Sequence, residues 1–277
     1  MVLSAVEQHE APGRRLVDDD LATAFLPAAL RTFVRATGWA PLRRTVIAAS
    51  ERSGPGLWTN LVCRKRYIDD NLRDTLNDID AVVVLGAGLD TRAYRLARHS
   101  DVPVFEVDQQ INIDRKKAVL ARVFGSPTAS VRLVSVDFER DDLMAALASH
   151  GYDAAARTFF VWEGVTQYLT EAAVRATFEQ LSRVAIGSRI DFTYVRDDFI
   201  SGVNTYGAAR FYRRVRVKSE LWKFGLPPDG VEAFLARYGW RLIEQAGPDE
   251  FVDRYVRPTG RALTASQIEW SAYAEKI

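Results

Sequence analysis

Hydrophobic positions fall into two textures along this chain, and the change comes at Ala81. From Leu21 to about Asn77, apolar residues recur at the three-to-four spacing of amphipathic helices, in LATAFLPAALRTFVRAT, LRRTVIAASER and LWTNLVCRKRYIDDNLRDTL. Pro27 interrupts the first of these, and Ser53-Gly54-Pro55-Gly56 is a turn cluster between the second and third. Asp20 is placed to cap the first helix, because its carboxylate can accept from the free N–H groups of the opening turn. From Ala81 the apolar runs become short, β-branched and closed by glycine or an acid. They are AVVVLGAG, VPVFEVD (102–108), VRLVSVD (131–137), TFFVWEG (158–164) and SRIDFTYV (188–195). Such runs predict strands buried on both faces.

Segments long enough for helices separate the strands, for example LTEAAVRATFEQLSRVA (169–185). Gly88, Asp108, Asp137 and Glu163 close four of the runs at intervals of 20, 29 and 26 residues, the beat of successive βα units in an open parallel sheet. The tail adds a helix in GVEAFLARYG, a strand in WRLIEQ, a helix in PDEFVDRYV and a last strand in IEWSAYAEK. Alternation in that last strand predicts an antiparallel neighbour and one wetter face. Residues 1–20 are polar, with Pro12, Gly13 and three consecutive aspartates, and predict a flexible arm that could serve as a lid.

Charge narrows the function. The 277 residues hold 37 Lys and Arg against 36 Asp and Glu, so a global basic field for nucleic acid is not the theme. Cys63 is the single cysteine and has no internal disulfide partner, which fits a reducing cytoplasm. His9, His99 and His150 are too scattered to suggest a histidine-built metal site. The opening MVLSAVEQHEAPGRR puts charges where a signal peptide needs an apolar core, and no apolar run approaches the roughly 20 residues that span a bilayer. The expectation is a soluble cytoplasmic protein that works on neither membranes nor nucleic acids.

Ligands of open α/β sheets bind beyond the carboxyl ends of the strands, so the residues there carry the candidate chemistry. Gly86 and Gly88 let the backbone turn tightly against a ligand. A dinucleotide fingerprint would need a third glycine at position 91, where this chain has Thr91, and that weakens an NAD or FAD reading. Asp108, 20 residues past Gly88, is placed to accept both hydroxyls of a ribose. Asp137 and Phe138 suit the amino group and ring face of an adenine, and Glu163 closes the fourth strand.

These residues also carry a likeness. CRKRYIDDNL (63–72), VVLGAGLDTRAYRL (83–96), FEVDQ (105–109), VDFERDDL (136–143) and FVWEGVTQYLTEAAV (160–174) resemble the leucine carboxyl methyltransferase family, in its order. The nearest likeness is to its bacterial branch of S-adenosylmethionine-dependent methyltransferases. The resemblance implies an α/β, Rossmann-like class I methyltransferase fold, a mostly parallel seven-stranded sheet with an antiparallel last strand and an N-terminal helical cover. It implies one domain over 21–277: a cover at 21–78 and a core at 79–277, with 196–230 as a substrate-side insert. By position, Gly86, Ala87 and Gly88 would line the methionine part of S-adenosylmethionine, Asp108 would hold the ribose, and Asp137 and Phe138 the adenine. Glu163 would stand near the methionine end. The basic residue that reaches the cofactor carboxylate is Arg64 or Arg66, with Arg66 favoured.

The implied reaction is O-methylation of a carboxylate or phenol on a small molecule, such as a polyketide-like secondary metabolite. The alternatives are a C-terminal carboxyl methyltransferase acting on a protein, and a non-methylating binding protein or cyclase on the same scaffold. No convincing general base stands out, since His99 and His150 both fall in loop-like contexts. On the substrate side, Tyr168, Tyr194 and Arg196 are candidates. The stretch 196–230 holds five basic residues in nine, Arg210, Arg213, Arg214, Arg216 and Lys218, beside Phe211, Tyr212 and Trp222. Such a mixture can grip an acidic or aromatic acceptor, or form the solvated face of a cover helix.

Overall fold

A computed structural model of the chain describes residues 1–125 and 128–277. Seven strands form one sheet: β1 Ala81–Leu85, β2 Val104–Asp108, β3 Val131–Ser135, β4 Thr158–Trp162, β5 Arg189–Val195, β6 Trp240–Ala246 and β7 Glu269–Lys276. Their spatial order is β3-β2-β1-β4-β5-β7-β6. The first five pair in parallel, with Val82 beside Val104 on one side and Phe159 on the other. β7 runs antiparallel between β5 and β6, with Thr193 opposite Ser271. This is the doubly wound, mostly parallel sheet that the run pattern and the resemblance imply.

The apolar runs are continuous because both sheet faces are covered. On β1, Ala81, Val83 and Leu85 enter one core with Phe160, Trp162, Phe178 and Phe192, while Val82 and Val84 enter the other with Phe159, Tyr67 and Phe25. Aromatic contacts consolidate the first core: Phe178 meets Phe234 edge-on at 5.0 Å and Phe192 at 5.3 Å. The second core lies under the N-terminal helices α1 Val2–Glu7, α2 Ala22–Phe25, α3 Ala28–Ala36, α4 Ala40–Ser53 and α5 Leu57–Thr75. α5 presents Val62, Cys63, Tyr67 and Ile68 to the sheet, all with no exposed surface. Among the described residues, no helix is long and apolar enough to cross a membrane.

Three expectations need correction. Residues 1–20 are not a loose arm: α1 is a helix, and Ala5, Val6, Leu16 and Val17 are wholly buried. Composition misleads there because the polar groups turn inward to partners. The Glu7 carboxylate takes the Trp58 Nε1 proton at 2.8 Å, the Leu16 N–H at 3.2 Å and the Arg261 guanidinium at 2.7 Å. Asp20 does not cap a helix either; α2 starts after Leu21 without a side-chain cap, and Asp20 pairs with Arg98 at 2.5 Å. Finally, the wetter strand is β6, not β7. β7 is sandwiched between β5 and β6, so the edge position and its exposed side chains fall to β6.

Candidate active site

The loop after β1 folds back over the end of β2. Gly86 and Ala87 both donate to the Val107 carbonyl, at 2.8 and 3.0 Å. Gly86 has φ +71°, and a Cβ there would run into the Val165 side chain, so only glycine suits the position. Gly88 then donates to Asp108 Oδ2 at 2.6 Å. The other carboxylate oxygen accepts from the Gln109 N–H at 2.7 Å and the Asn112 amide at 2.8 Å. Asp108 is thus fixed at the lip of the glycine loop, with one lone pair of Oδ2 still free for a hydroxyl donor. Its carbonyl accepts from Val136, which ties the next strand end, Asp137-Phe138, into register. Phe138 lies against Trp162 at 6.0 Å, and Asp137 is partly exposed beside it.

A cavity of about 250 Å³ opens at the carboxyl ends of β1 and β4. Arg64, Lys65, Asp90, Glu163 and the loop 86–88 line it, with Leu3 and Ser4 of α1 closing one side. Whole ligand sites run to roughly 300–1,000 Å³. This cavity is therefore smaller than a whole ligand site, and Gly88 on its wall is bonded to Asp108. A wider cleft of about 840 Å³ lies elsewhere, between α4 and residues 260–263, but its Arg43 and Arg261 are already matched by Glu10 and Glu7.

Charges in the cavity are held in a lattice of ion pairs. Arg64 Nε donates to Glu163 Oε1 at 3.1 Å, and its Nη1 donates to Glu269. Arg92, on helix α6 Arg92–Leu96, reaches three carboxylates: Asp69 at 2.5 Å, Asp90 at 2.6 Å and Glu163 at 3.0 Å. Lys65 pairs with Asp19 at 2.8 Å. Burial alone would pull the Arg92 pKa down, but Asp69, Asp90 and Glu163 hold it well above the usual value. Asp90 is the converse case: burial raises its pKa, and Arg92 and Lys65 more than reverse that. Asp69 and Asp90 are fixed in their ionised form, so they orient and do not exchange protons near neutral pH. Gly164 makes room for the lattice; it has φ +68°, and a Cβ would stand 2.7 Å from Arg64 Nη2.

Of the sequence candidates, Arg64, Gly86, Ala87, Gly88 and Glu163 meet in this cavity, and Asp108 joins through Gly88. Arg66 does not. It points the other way, to Asp70 at 3.1 Å and over the Tyr255 ring. Residues two apart on a helix face nearly opposite sides, and Arg64 is the one turned to β4. Tyr194 is wholly buried in the first core, its hydroxyl donating to Gln245 Oε1 at 2.6 Å. Arg196 is spent on Asp198 and lies over Tyr206 and Trp270. Tyr168 alone of the three keeps an open side, 41% exposed, edge-on to Trp222 at 6.4 Å.

Sequence reasoning missed Lys65, Arg92, Asp69, Asp90 and Glu269. Arg92 and Asp90 sit in the quoted LDTR, so a signal existed, although only the glycines ahead of it drew notice. Glu269 had none: it is 205 residues from Arg64 and arrives only because β7 inserts beside β5.

Comparisons with known proteins agree on one group. The sequence profile of the leucine carboxyl methyltransferase family matches residues 1–182. A protein of Mycobacterium tuberculosis, named as a candidate S-adenosyl-L-methionine-dependent methyltransferase, is 30% identical over 263 residues, 90% of this chain and 80% of its own length. A like-named protein of Mycolicibacterium smegmatis is 35% identical over 210 residues, 73% of this chain and 68% of its own. Among solved structures, a candidate methyltransferase from Thermobifida fusca matches with a TM-score of 0.59 at 15% identity, covering 85% of this chain and 88% of that one. Magnesium protoporphyrin IX methyltransferase from Synechocystis, solved with bound S-adenosylhomocysteine, matches with a TM-score of 0.51 at 10% identity, covering 89% and 100%. Those two likenesses speak for the fold.

Proposed function

The chain belongs to the leucine carboxyl methyltransferase family and is an S-adenosylmethionine-dependent methyltransferase; from that premise we propose that its acceptor is a small molecule methylated on an oxygen, foremost a carboxylate. The residues present fit the cofactor. The tight 86–88 loop leaves the backbone bare, Asp108 offers a carboxylate to a ribose diol, and Phe138 and Asp137 offer an adenine a ring face and an acceptor. Arg64, with Lys65 behind it, and Glu163, with Asp90, give the cavity charges of both signs for an amino-acid end. When bound, S-adenosylmethionine supplies an electrophilic methyl on its sulfonium.

The chain's own share of the chemistry is to hold, orient and keep dry. Alignment of this kind is worth about 7–11 kcal/mol of the barrier. The observation that carries the carboxylate reading is that the acidic side chains lining the cavity are already committed to ion pairs. Its acids, Glu163 and Asp90, are taken up by Arg64, Arg92 and Lys65. His9 spends its Nε2 on the Val34 carbonyl, and His150 is an exposed residue bonded to Ala146. An acceptor that arrives already ionised needs none of them, and a carboxylate does so at pH 7.

A panel of aryl and acyl carboxylic acids and of phenols, incubated with methyl-labelled S-adenosylmethionine, tests this. The expected product releases labelled methanol in mild base, as a methyl ester does. A base-stable label would mark a methyl ether and shift the assignment to a phenol, while labelling of protein C-termini alone would overturn the small-molecule reading.

A further inference from the structure

Arg52, Arg210, Arg213, Arg214 and Lys218 line an open cleft of about 560 Å³. Two distant stretches build it. Arg52 comes from the last turn of α4, and the others from the short helix Ala209–Tyr212 and the π-helical segment Arg213–Lys218. π-helical turns are rare and concentrate at functional sites. Arg216 lies in the same stretch and does not take part; it turns inward to the carbonyls of Ile200 and Trp222 and holds the segment in place.

Two features separate this cleft from an ordinary solvated face. No carboxylate lines it, and among the described residues none of the five cations has an ion-pair partner. Several other arginines are met by acids, as Arg43 is by Glu10, Arg189 by Glu275 and Arg254 by Glu244. Those without a partner among the described residues, such as Arg35 and Arg237, do not gather in one cleft with four further cations. A cleft of one sign focuses the field and concentrates anions in it. Four of the five are arginines, whose planar forks match phosphate oxygens. The second feature is its link to the active site. Phe211 in the cleft packs 5.1 Å from the buried Trp222, which packs 6.4 Å from the exposed ring of Tyr168. The backbone is pinned along the same line, with Lys223 donating to the Gln167 carbonyl at 2.6 Å.

We propose that this cleft binds the phosphate-bearing end of the methyl acceptor, a small molecule whose apolar body lies along Phe211 and Tyr168 and whose oxygen reaches the Arg64–Glu163 cavity. The acceptor half of this inference rests on the methyltransferase reading above; the phosphate site does not. Five unmatched cations exceed what one carboxylate can answer, whereas a diphosphate offers several charges and oxygens in a small volume.

Calorimetric titration with inorganic pyrophosphate at fixed ionic strength tests the site, alongside titration with S-adenosylhomocysteine. The wild-type protein should bind pyrophosphate, and Arg210→Gln with Arg214→Gln should weaken it at least tenfold while leaving S-adenosylhomocysteine affinity unchanged. Arg35→Gln with Arg237→Gln removes the same charge elsewhere and should change neither. Equal losses in both double variants, or no pyrophosphate binding by wild type, would overturn the site. So would tight binding of a single-stranded oligonucleotide where pyrophosphate binds weakly. Failure of S-adenosylhomocysteine to bind, with the pyrophosphate result as expected, would instead overturn the cofactor reading. Acceptors tested in pairs, with and without a phosphate ester, complete the test. The ester should lower KM, and the Arg210/Arg214 variant should erase that gain without changing kcat; equal KM values within pairs would overturn the acceptor half.

Discussion

Arg64 and Arg66 stand two residues apart on α5 and face opposite ways: Arg64 Nε lies 3.1 Å from Glu163 Oε1, and Arg66 Nε lies 3.1 Å from Asp70 Oδ2. The motif R-x-R-Y leaves both open as the cofactor's basic residue, and the geometry separates them. Arg64→Gln should weaken S-adenosylhomocysteine binding by tenfold or more, since a charge-assisted contact is worth about 1.5–3 kcal/mol. Arg66→Gln should stay within about twofold, because its partner is a half-exposed neighbour on the same helix. Calorimetric titration of both variants decides, and a larger loss for Arg66→Gln would reverse the assignment.

Asp108 gives a sharper test of the ribose. Its two oxygens are oriented by three donors, from Gly88, Gln109 and Asn112, so they accept in fixed directions. Wild-type protein should prefer S-adenosylhomocysteine over its 2′-deoxy analogue by about tenfold, and Asp108→Ala should bind both weakly and equally. The double comparison isolates the contact from any general weakening. A preference that survives in Asp108→Ala would place the ribose elsewhere.

The parts of this site that sequence reveals are the parts built locally. Strand runs end in Gly88, Asp108, Asp137 and Glu163 at regular intervals, and the parallel sheet must bring such ends to one edge. Contacts that depend on which side of a helix faces inward, or on an antiparallel insertion late in the chain, leave no local trace. Arg64 could not be told from Arg66 without knowing how α5 crosses the sheet, and Glu269 enters through β7. Tyr194 misled for a related reason: a strand end exposes its backbone to the site, but alternation sends this side chain into the opposite core, against Gln245. The first twenty residues misled by composition, because Glu7 and Asp19 are buried in pairs with Arg261 and Lys65.

Asp191, in the middle of β5, is wholly buried, and one of its oxygens has no partner among the described residues; the other accepts from Asn71 at 2.8 Å. Burial pushes its pKa well above the usual carboxylate value, with Asn71 and Arg92 opposing and Glu163 and Glu244 adding to the rise. The folded state then holds a proton that the unfolded chain has lost, so this residue lowers stability as pH climbs from the ordinary aspartate range through its raised pKa. Asp191→Asn keeps the shape, accepts from Asn71 and never ionises. Its Tm should exceed wild type by a few degrees at pH 8, with the gap closing toward pH 5. Thermal melts across that range check it, and a gap that widens at low pH would contradict the sign.

Glu7 ties the covering helix α1 to the rest of the molecule. Its carboxylate takes both terminal nitrogens of Arg261, at 2.7 and 3.1 Å, together with the Trp58 and Leu16 N–H groups. Glu7→Ala strands a buried guanidinium and two donors, and breaking a buried pair in this way costs about 3–5 kcal/mol. At about 2–4 °C per kcal/mol for a domain near this size, Tm should fall by roughly 6–20 °C. The functional consequence follows from where α1 sits, since Leu3 and Ser4 close one side of the cavity that Arg64 and Glu163 line. Once α1 loosens, S-adenosylhomocysteine should leave faster, with its association rate little changed. Stopped-flow displacement at a temperature well below the lowered Tm separates this from unfolding. A variant that melts early yet releases ligand at the wild-type rate would show that α1 stabilises the fold without gating the site.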